Sequence, residues 1–166
     1  MPDNGLVVWQ AATPGDVQKA RELFLEYAAW LKVDLCFQGF DEELAGLPGK
    51  YAPPQGRLLL ASVKGELAGC VALRPLAPGT GEVKRLYVRP AFRGRGVAKK
   101  LAEELLAAAH AISYARLRLD TLAFMHEAAA LYRSLGFVET APYYDNPLPG
   151  VVYMDLELSP GESLRS

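Results

Sequence analysis

The chain has 166 residues, 51% of them apolar and 22% charged, with a formal net charge of −1. That length supports one domain with a real core and not two, and the near-neutral balance argues against a protein that coats nucleic acid or acidic membrane through bulk charge. The two cysteines, Cys36 and Cys70, lack CxxC spacing and the histidines do not cluster, so both cysteines read as small apolar residues rather than metal ligands or disulfide partners.

In chain order, Leu6 to Gln10 reads as a first strand, and Thr13-Pro14-Gly15-Asp16 as a turn with a helix cap. Apolar residues then recur at helical spacing from Val17 to Leu31. A shorter helix is expected from Phe40 to Leu47, and a loop from Lys50 to Gly56, which holds two prolines. Leu58–Val63 and Glu66–Leu73 form a hairpin about Lys64-Gly65. A loop is expected over Arg74–Gly81, where prolines and glycines gather, followed by a strand over Glu82–Val88. Gly96 to His110 is a helix with Val97, Leu101, Leu105 and Ala108 on its apolar stripe. Arg116–Thr121 is a strand, and Met125–Leu135 a helix ended by Gly136. Phe137–Thr140 and Val151–Leu158 close the sheet on either side of the loop APYYDNPLPG. The whole reads as a single α/β domain over residues 1–166. No apolar run reaches the ~18 residues a membrane span needs, and MPDNGLVVWQ has neither the basic nor the apolar region of a signal peptide. A cytoplasmic setting is the expectation.

One stretch stands apart from this even charge. VRPAFRGRGVAKKL, Val88 to Leu101, gathers five cations and two glycines where a strand gives way to a helix. Unpaired N–H groups at a helix start, with the positive end of the helix dipole, make an anion site. Gly94 and Gly96 allow backbone to approach a ligand closely, and Arg93 and Arg95 add charge at the rim. Successive N–H groups suit a pyrophosphate. The spelling excludes a GxxxxGK[ST] loop and a GxGxxG after the first strand. Nucleic-acid binding by an RG patch lacks a second basic cluster or an aromatic platform.

The run EVKRLYVRPAFRGRGVAKKLAEELL resembles the cofactor motif of the GNAT superfamily, the Gcn-type N-acetyltransferases, whose R/Q-x-x-G-x-G/A is met by Arg93, Gly96 and Ala98. AAALYRSLGFVE is similar to the family's second signature, a helix with Tyr ahead of Leu-Gly-Phe. The resemblance covers Leu58 to Leu158 well, and the first two helices by pattern alone. It implies a mixed, mostly antiparallel sheet splayed at a cleft for acetyl-coenzyme A and flanked by helices. The acyl-pantetheine arm would lie along Leu86, Tyr87 and Val88 like an added strand. The pyrophosphate would rest on Arg93, Gly94, Arg95, Gly96, Val97 and Ala98. Many members carry Asn seven residues before the signature tyrosine; here that position is Met125, which puts contacts from that helix in doubt.

The resemblance also assigns catalytic roles. Tyr132 matches the family tyrosine near the sulfur and is implied as general acid; the alternative is packing beside Ala128, Leu131 and Leu135. Glu82 matches a glutamate that takes the amine's proton in several relatives; the alternative is a salt bridge to Lys84 or Arg85. Asp120 ends its strand, and facing the same cleft is one reading of it, with a turn cap the simpler one; His110 reads as solvated, and His126 likewise, with lining the site as its alternative. Tyr143, Tyr144, Asp145 and Asn146 lie where relatives form part of the acceptor pocket, with Trp30, Phe37 and Phe40 as a facing wall. The implied reaction is direct acetyl transfer to a primary amine of a small molecule or amino acid in a ternary complex, with a protein lysine or a peptide N-terminus as the open alternatives and a homodimer common among relatives. A non-catalytic acyl-coenzyme A binding module is the competing reading.

Overall fold

Period-two alternation builds the centre of the molecule. In the computed structural model, which describes residues 5–31 and 39–158, seven strands share one sheet. They are β1 (Leu6–Gln10), β2 (Arg57–Val63), β3 (Glu66–Ala77), β4 (Thr80–Val88), β5 (Arg116–Leu122), β6 (Val138–Thr140) and β7 (Val151–Glu157). Their spatial order is β1-β2-β3-β4-β5-β7-β6. Only the β4–β5 pair is parallel among them. Along β2, Leu58 and Leu60 enter one core cluster while Leu59 and Ala61 enter the other, as alternation requires.

Helices cover both faces. On one side lie α1 (Pro14–Leu31) and α2 (Phe40–Ala45), with Ala20, Leu23 and Phe24 packed on Leu58, Leu60 and Cys70. On the other lie α3 (Val97–Ile112) and α4 (His126–Ser134), with Leu101, Leu105 and Tyr132 over Leu59, Val71 and Leu117. α1 opens on a reciprocal cap: Thr13 Oγ1 accepts from Asp16 N at 3.1 Å, while Asp16 accepts from Ala12 N and Thr13 N. Those N–H groups hold the Asp16 carboxyl below its usual range.

Three expectations change. The loop over Arg74–Gly81 is instead a continuous hairpin, with β3 running to Ala77 and β4 starting at Thr80. Pro75 is tolerated there because it stands next to a register irregularity, where a missing N–H interrupts little of the ladder. The Lys50–Gly56 segment begins inside a turn of 3-10 helix, Gly49–Tyr51, which buries Tyr51. The second helix stops at Ala45, short of Leu47. Cys36 and Phe37 lie outside the described residues.

The sheet opens at its middle. β4 and β5 pair only at Thr80↔Arg116, Gly81↔Leu117 and Glu82↔Arg118, and then part. β4 also bulges: Tyr87 faces Cys70 and Lys84 faces Ala72, so Arg85 and Leu86 stand opposite Val71 alone. Arg85 takes φ +63 to make this possible, and a bulge bends the strand that carries it. Beyond the bulge β4 presses on Gly69, where a Cβ would come within 2.5 Å of the Tyr87 carbonyl oxygen.

Candidate active site

Beyond Glu82 the β5-facing backbone of β4 has no strand pairing, and α3 starts just past the strand's end. Gly96 is the N-cap of α3 at φ +80, and no side chain caps the helix. Gly94 has φ +78. A side chain at such an angle is strained by roughly 1 kcal/mol or more, which accounts for both glycines. A Cβ at either position would meet nothing within 4 Å, so the space over the helix start is open. The first-turn N–H groups and the dipole of α3 give that space a preference for anions.

This space is one end of a cleft of about 650 Å³. One wall is Leu86, Tyr87 and Val88, continued by Arg93, Gly94, Gly96, Val97 and Ala98. Eight of the nine residues expected to hold the cofactor therefore line one cavity. Arg95 does not; its guanidinium stacks on Phe92 at 5.6 Å. Arg93 contributes at the rim: its Nε donates to the Val88 carbonyl at 2.9 Å, and its guanidinium lies 4.9 Å from the Trp30 ring. Trp30, expected on the acceptor side, lines this cleft and meets Phe124 at 6.1 Å between ring centroids. The opposite wall, Phe124, His126, Glu127, Ala128 and Leu131, was not legible from the glycine-rich motif. Its signal lies in the non-helical break Ala123 to Met125 between β5 and α4.

A smaller cavity of about 40 Å³, room for about three waters, lies beyond the cleft between β4 and β5. Leu86 and Met125 line both spaces, so the two are neighbours there. The smaller cavity also holds Tyr132, Lys84, Asp120 and Asn146. Tyr132 packs edge-on against Phe137 at 5.4 Å, which explains the apolar company seen in the sequence. Its hydroxyl makes no hydrogen bond among the described residues. Burial, with lesser contributions from Tyr27 and Asp120, pushes its hydroxyl well above the usual tyrosine range, so it keeps its proton. Met125 replaces the family asparagine as the residue before α4, and its sulfur accepts from Thr121 Oγ1 at 3.6 Å.

Glu82 is placed differently from the expectation of a base. It is 1% exposed and lines neither cavity. Its Oε1 accepts from Arg74 Nε at 2.9 Å and its Oε2 from the Tyr143 hydroxyl at 2.7 Å. The Lys84 ammonium lies 3.9 Å from Oε2. A base must reach the proton it takes directly or through one water; both oxygens here are already engaged. Arg85 goes instead to Glu43 of α2, in a two-pronged pair at 2.9 and 2.7 Å. Phe40 also differs from expectation: it is buried, with the Arg85 guanidinium 5.2 Å from its ring.

The 143–146 loop divides. Tyr143 reaches Glu82, while Tyr144 donates its hydroxyl to Asp120. Asn146 Nδ2 donates to the same Asp120 oxygen at 2.8 Å. Asp145 is exposed and lines neither cavity. Asp120, read as a turn cap, is thus the carboxylate that lines the small cavity.

Comparison with known proteins agrees with this geometry. The model of the acetyltransferase (GNAT) family matches residues 18–137. An uncharacterized N-acetyltransferase of Schizosaccharomyces pombe is 41% identical over 161 residues, covering 96% of this chain and 99% of that one. N-acetylaspartate synthetase of Danio rerio is 32% identical over 117 residues, 69% of this chain and 42% of its own. Among solved structures, a Salmonella typhimurium protein holding its cofactor acetyl-CoA superposes with a TM-score of 0.66. It is 20% identical, with 93% of this chain and 94% of that one covered.

Proposed function

The chain belongs to the GNAT family of acetyltransferases, and from that premise we propose direct transfer of an acetyl group to the primary amine of a small molecule or amino acid. It is an acyl-coenzyme A-dependent N-acyltransferase that uses acetyl-CoA; the proposal concerns the acceptor, the residues and the route. The observation that carries it is the shared wall of Leu86 and Met125, which sets a long cleft with an anion-binding end beside a small polar cavity that holds Tyr132.

The residues present suit the cofactor. The open first turn of α3 takes the pyrophosphate, and the unpaired β4 edge past Glu82 takes the amide groups of the arm. Acetyl-coenzyme A supplies, when bound, an activated acyl carbon and a thiol leaving group. Asp120 attracts the acceptor's ammonium and accepts its first proton, leaving a neutral nitrogen free to attack the acyl carbon. As the C–S bond breaks and the C–N bond forms, Tyr132 donates its hydroxyl proton to the departing sulfur. It regains one from the new amide nitrogen, so one proton in total leaves to solvent. Glu82 positions Tyr143 and Lys84 and does not touch the acceptor.

Direct transfer is supported by Cys70, the cysteine among the described residues. Cys70 is buried in the α1-side core, donates to the Arg85 carbonyl at 3.3 Å and lines neither cavity. Burial also pushes its thiol well above the usual range. It is unsuited to carrying an acyl group.

Thiol release from acetyl-CoA in the presence of a panel of primary amines tests this reading. Tyr132→Phe is expected to lower turnover by ~10²–10⁴ while calorimetry shows acetyl-CoA affinity within a few fold. Tight binding with no thiol release in the wild type would favour the binding-module reading.

A further inference from the structure

Resting on the cofactor reading of the cleft above, we propose that Trp30 of α1 and Phe124 of the β5–α4 break form an aromatic strap. It closes over the pantetheine arm of coenzyme A and sets how tightly that arm is held. Trp30 and Phe124 are 38% and 53% exposed, and their ring centroids lie 6.1 Å apart. Two large apolar side chains kept together in water at the rim of a cavity mark a ligand surface. Both line the cleft of about 650 Å³ whose far end is the anion site at the start of α3. The occupant that reaches from that end toward Tyr132 is the arm of the cofactor.

The strap spans the seam where strand pairing has ended. β4 and β5 pair no further than Glu82↔Arg118. Past that point Tyr87 of β4 stands 6.1 Å from Trp30, and Trp30 meets Phe124 just beyond the end of β5. The rings therefore run from one parted strand to the other by way of α1. Tyr27, about one turn earlier in α1, braces the indole at 6.5 Å, and the Arg93 guanidinium lies 4.9 Å from it. Trp30 is thus the fixed half of the strap. Phe124, more than half exposed and in a non-helical break, is the half that yields as the arm enters.

The chemistry of the arm fits this cover. It carries two amide groups and, near one of them, a carbon bearing two methyl groups. With its amides along the unpaired edge of β4, the methyls and methylenes need an apolar surface over them. Aromatic rings supply a large one at a small cost in side-chain entropy. By excluding water they also strengthen the hydrogen bonds to β4 beneath. The nucleotide half, held by its phosphates at the start of α3, gains none of this.

The test is calorimetry with coenzyme A and with its 3′-phospho-ADP half, which lacks the arm. Trp30→Ala is expected to weaken coenzyme A about 10-fold or more, Phe124→Ala about 3-fold or more, and Trp30→Phe to recover most of the loss. The double alanine variant is expected to fall well short of the product of the two, because each ring acts through the other. Affinity for 3′-phospho-ADP stays the same in all of them. The chain has two tryptophans, so the difference between wild type and Trp30→Phe isolates the emission of Trp30. Coenzyme A is expected to shift that emission to the blue, and 3′-phospho-ADP to leave it alone. Unchanged coenzyme A affinity in the alanine variants, or unchanged Trp30 emission at saturation, would overturn the strap and leave the cofactor reading standing. An equal loss for both ligands would also overturn it, since Trp30 would then act on the phosphates through Arg93. A wild type that binds neither ligand would overturn both readings.

Discussion

Lys84 is a lysine kept where burial works against its charge. Burial lowers its pKa below the ordinary 10.5, with Glu82 and Asp120 opposing that shift in part. The folded protein therefore releases this proton at lower pH than the unfolded chain does. Between the two values the unfolded chain binds more protons, so this group makes stability rise with pH; below both values the burial penalty is present in full. Lys84→Met is accordingly expected to be more stable than the wild type near neutral pH, with the gap narrowing as pH climbs toward 10.5. Tyr27, raised to about 12 by burial, and the other buried tyrosines act in the opposite direction, but only above the ordinary tyrosine value of 10.0. Denaturation midpoints of both proteins across this range check the sign. A variant less stable at neutral pH, with a constant gap, would show that the ion pairing of Lys84 outweighs its burial cost. In the sequence Lys84 was visible only as a possible partner of Glu82. That β4 aims it into a cavity depends on the bulge one residue later, and nothing local in VKRLYV marks it.

At the scale of elements, α2 is fastened to β4 by one buried pair. Glu43 sits in a short helix of six residues, Phe40–Ala45, and its carboxylate grips Arg85 at the apex of the bulge. The side chains are 11% and 2% exposed. Removing Glu43 takes a two-pronged partner from a buried guanidinium, a loss worth up to about 3–5 kcal/mol. Glu43→Ala is therefore expected to lose about that much stability in urea titrations, while coenzyme A affinity, built on α3 and the outer half of β4, stays within a few fold. A loss below about 1 kcal/mol would show the pair to be solvated in practice. Regular periodicity made the long elements legible: α1, α3 and the β2–β3 hairpin stand within a few residues of their expected bounds. The β3–β4 hairpin was hidden because Pro75 and Gly79 read as loop punctuation, whereas the ladder passes Pro75 at an irregularity and turns at Pro78-Gly79.

Across the whole molecule, function follows from one seam. Parallel pairing that ends at Glu82, a bulge at Arg85 and a helix starting at Gly96 leave a strand edge, an anion site and a polar cavity in line. The anion site was legible because its chemistry is local: RGRG must sit at a helix start. The small polar cavity was not, since Lys84, Asp120, Tyr132 and Asn146 come from four separated segments that only the sheet order brings together. That Asp120 lines this cavity and Glu82 does not was hidden for the same reason. The most direct test of the account is to incubate the protein with isotopically labelled acetyl-CoA and the amine panel, and to follow the label by mass spectrometry. The wild type is expected to place the labelled acetyl group on an amine with one thiol released per product. Gly96→Glu, which puts a like charge into the anion site, is expected to form none while remaining folded. Label recovered only as free acetate, or full transfer by Gly96→Glu, would contradict it.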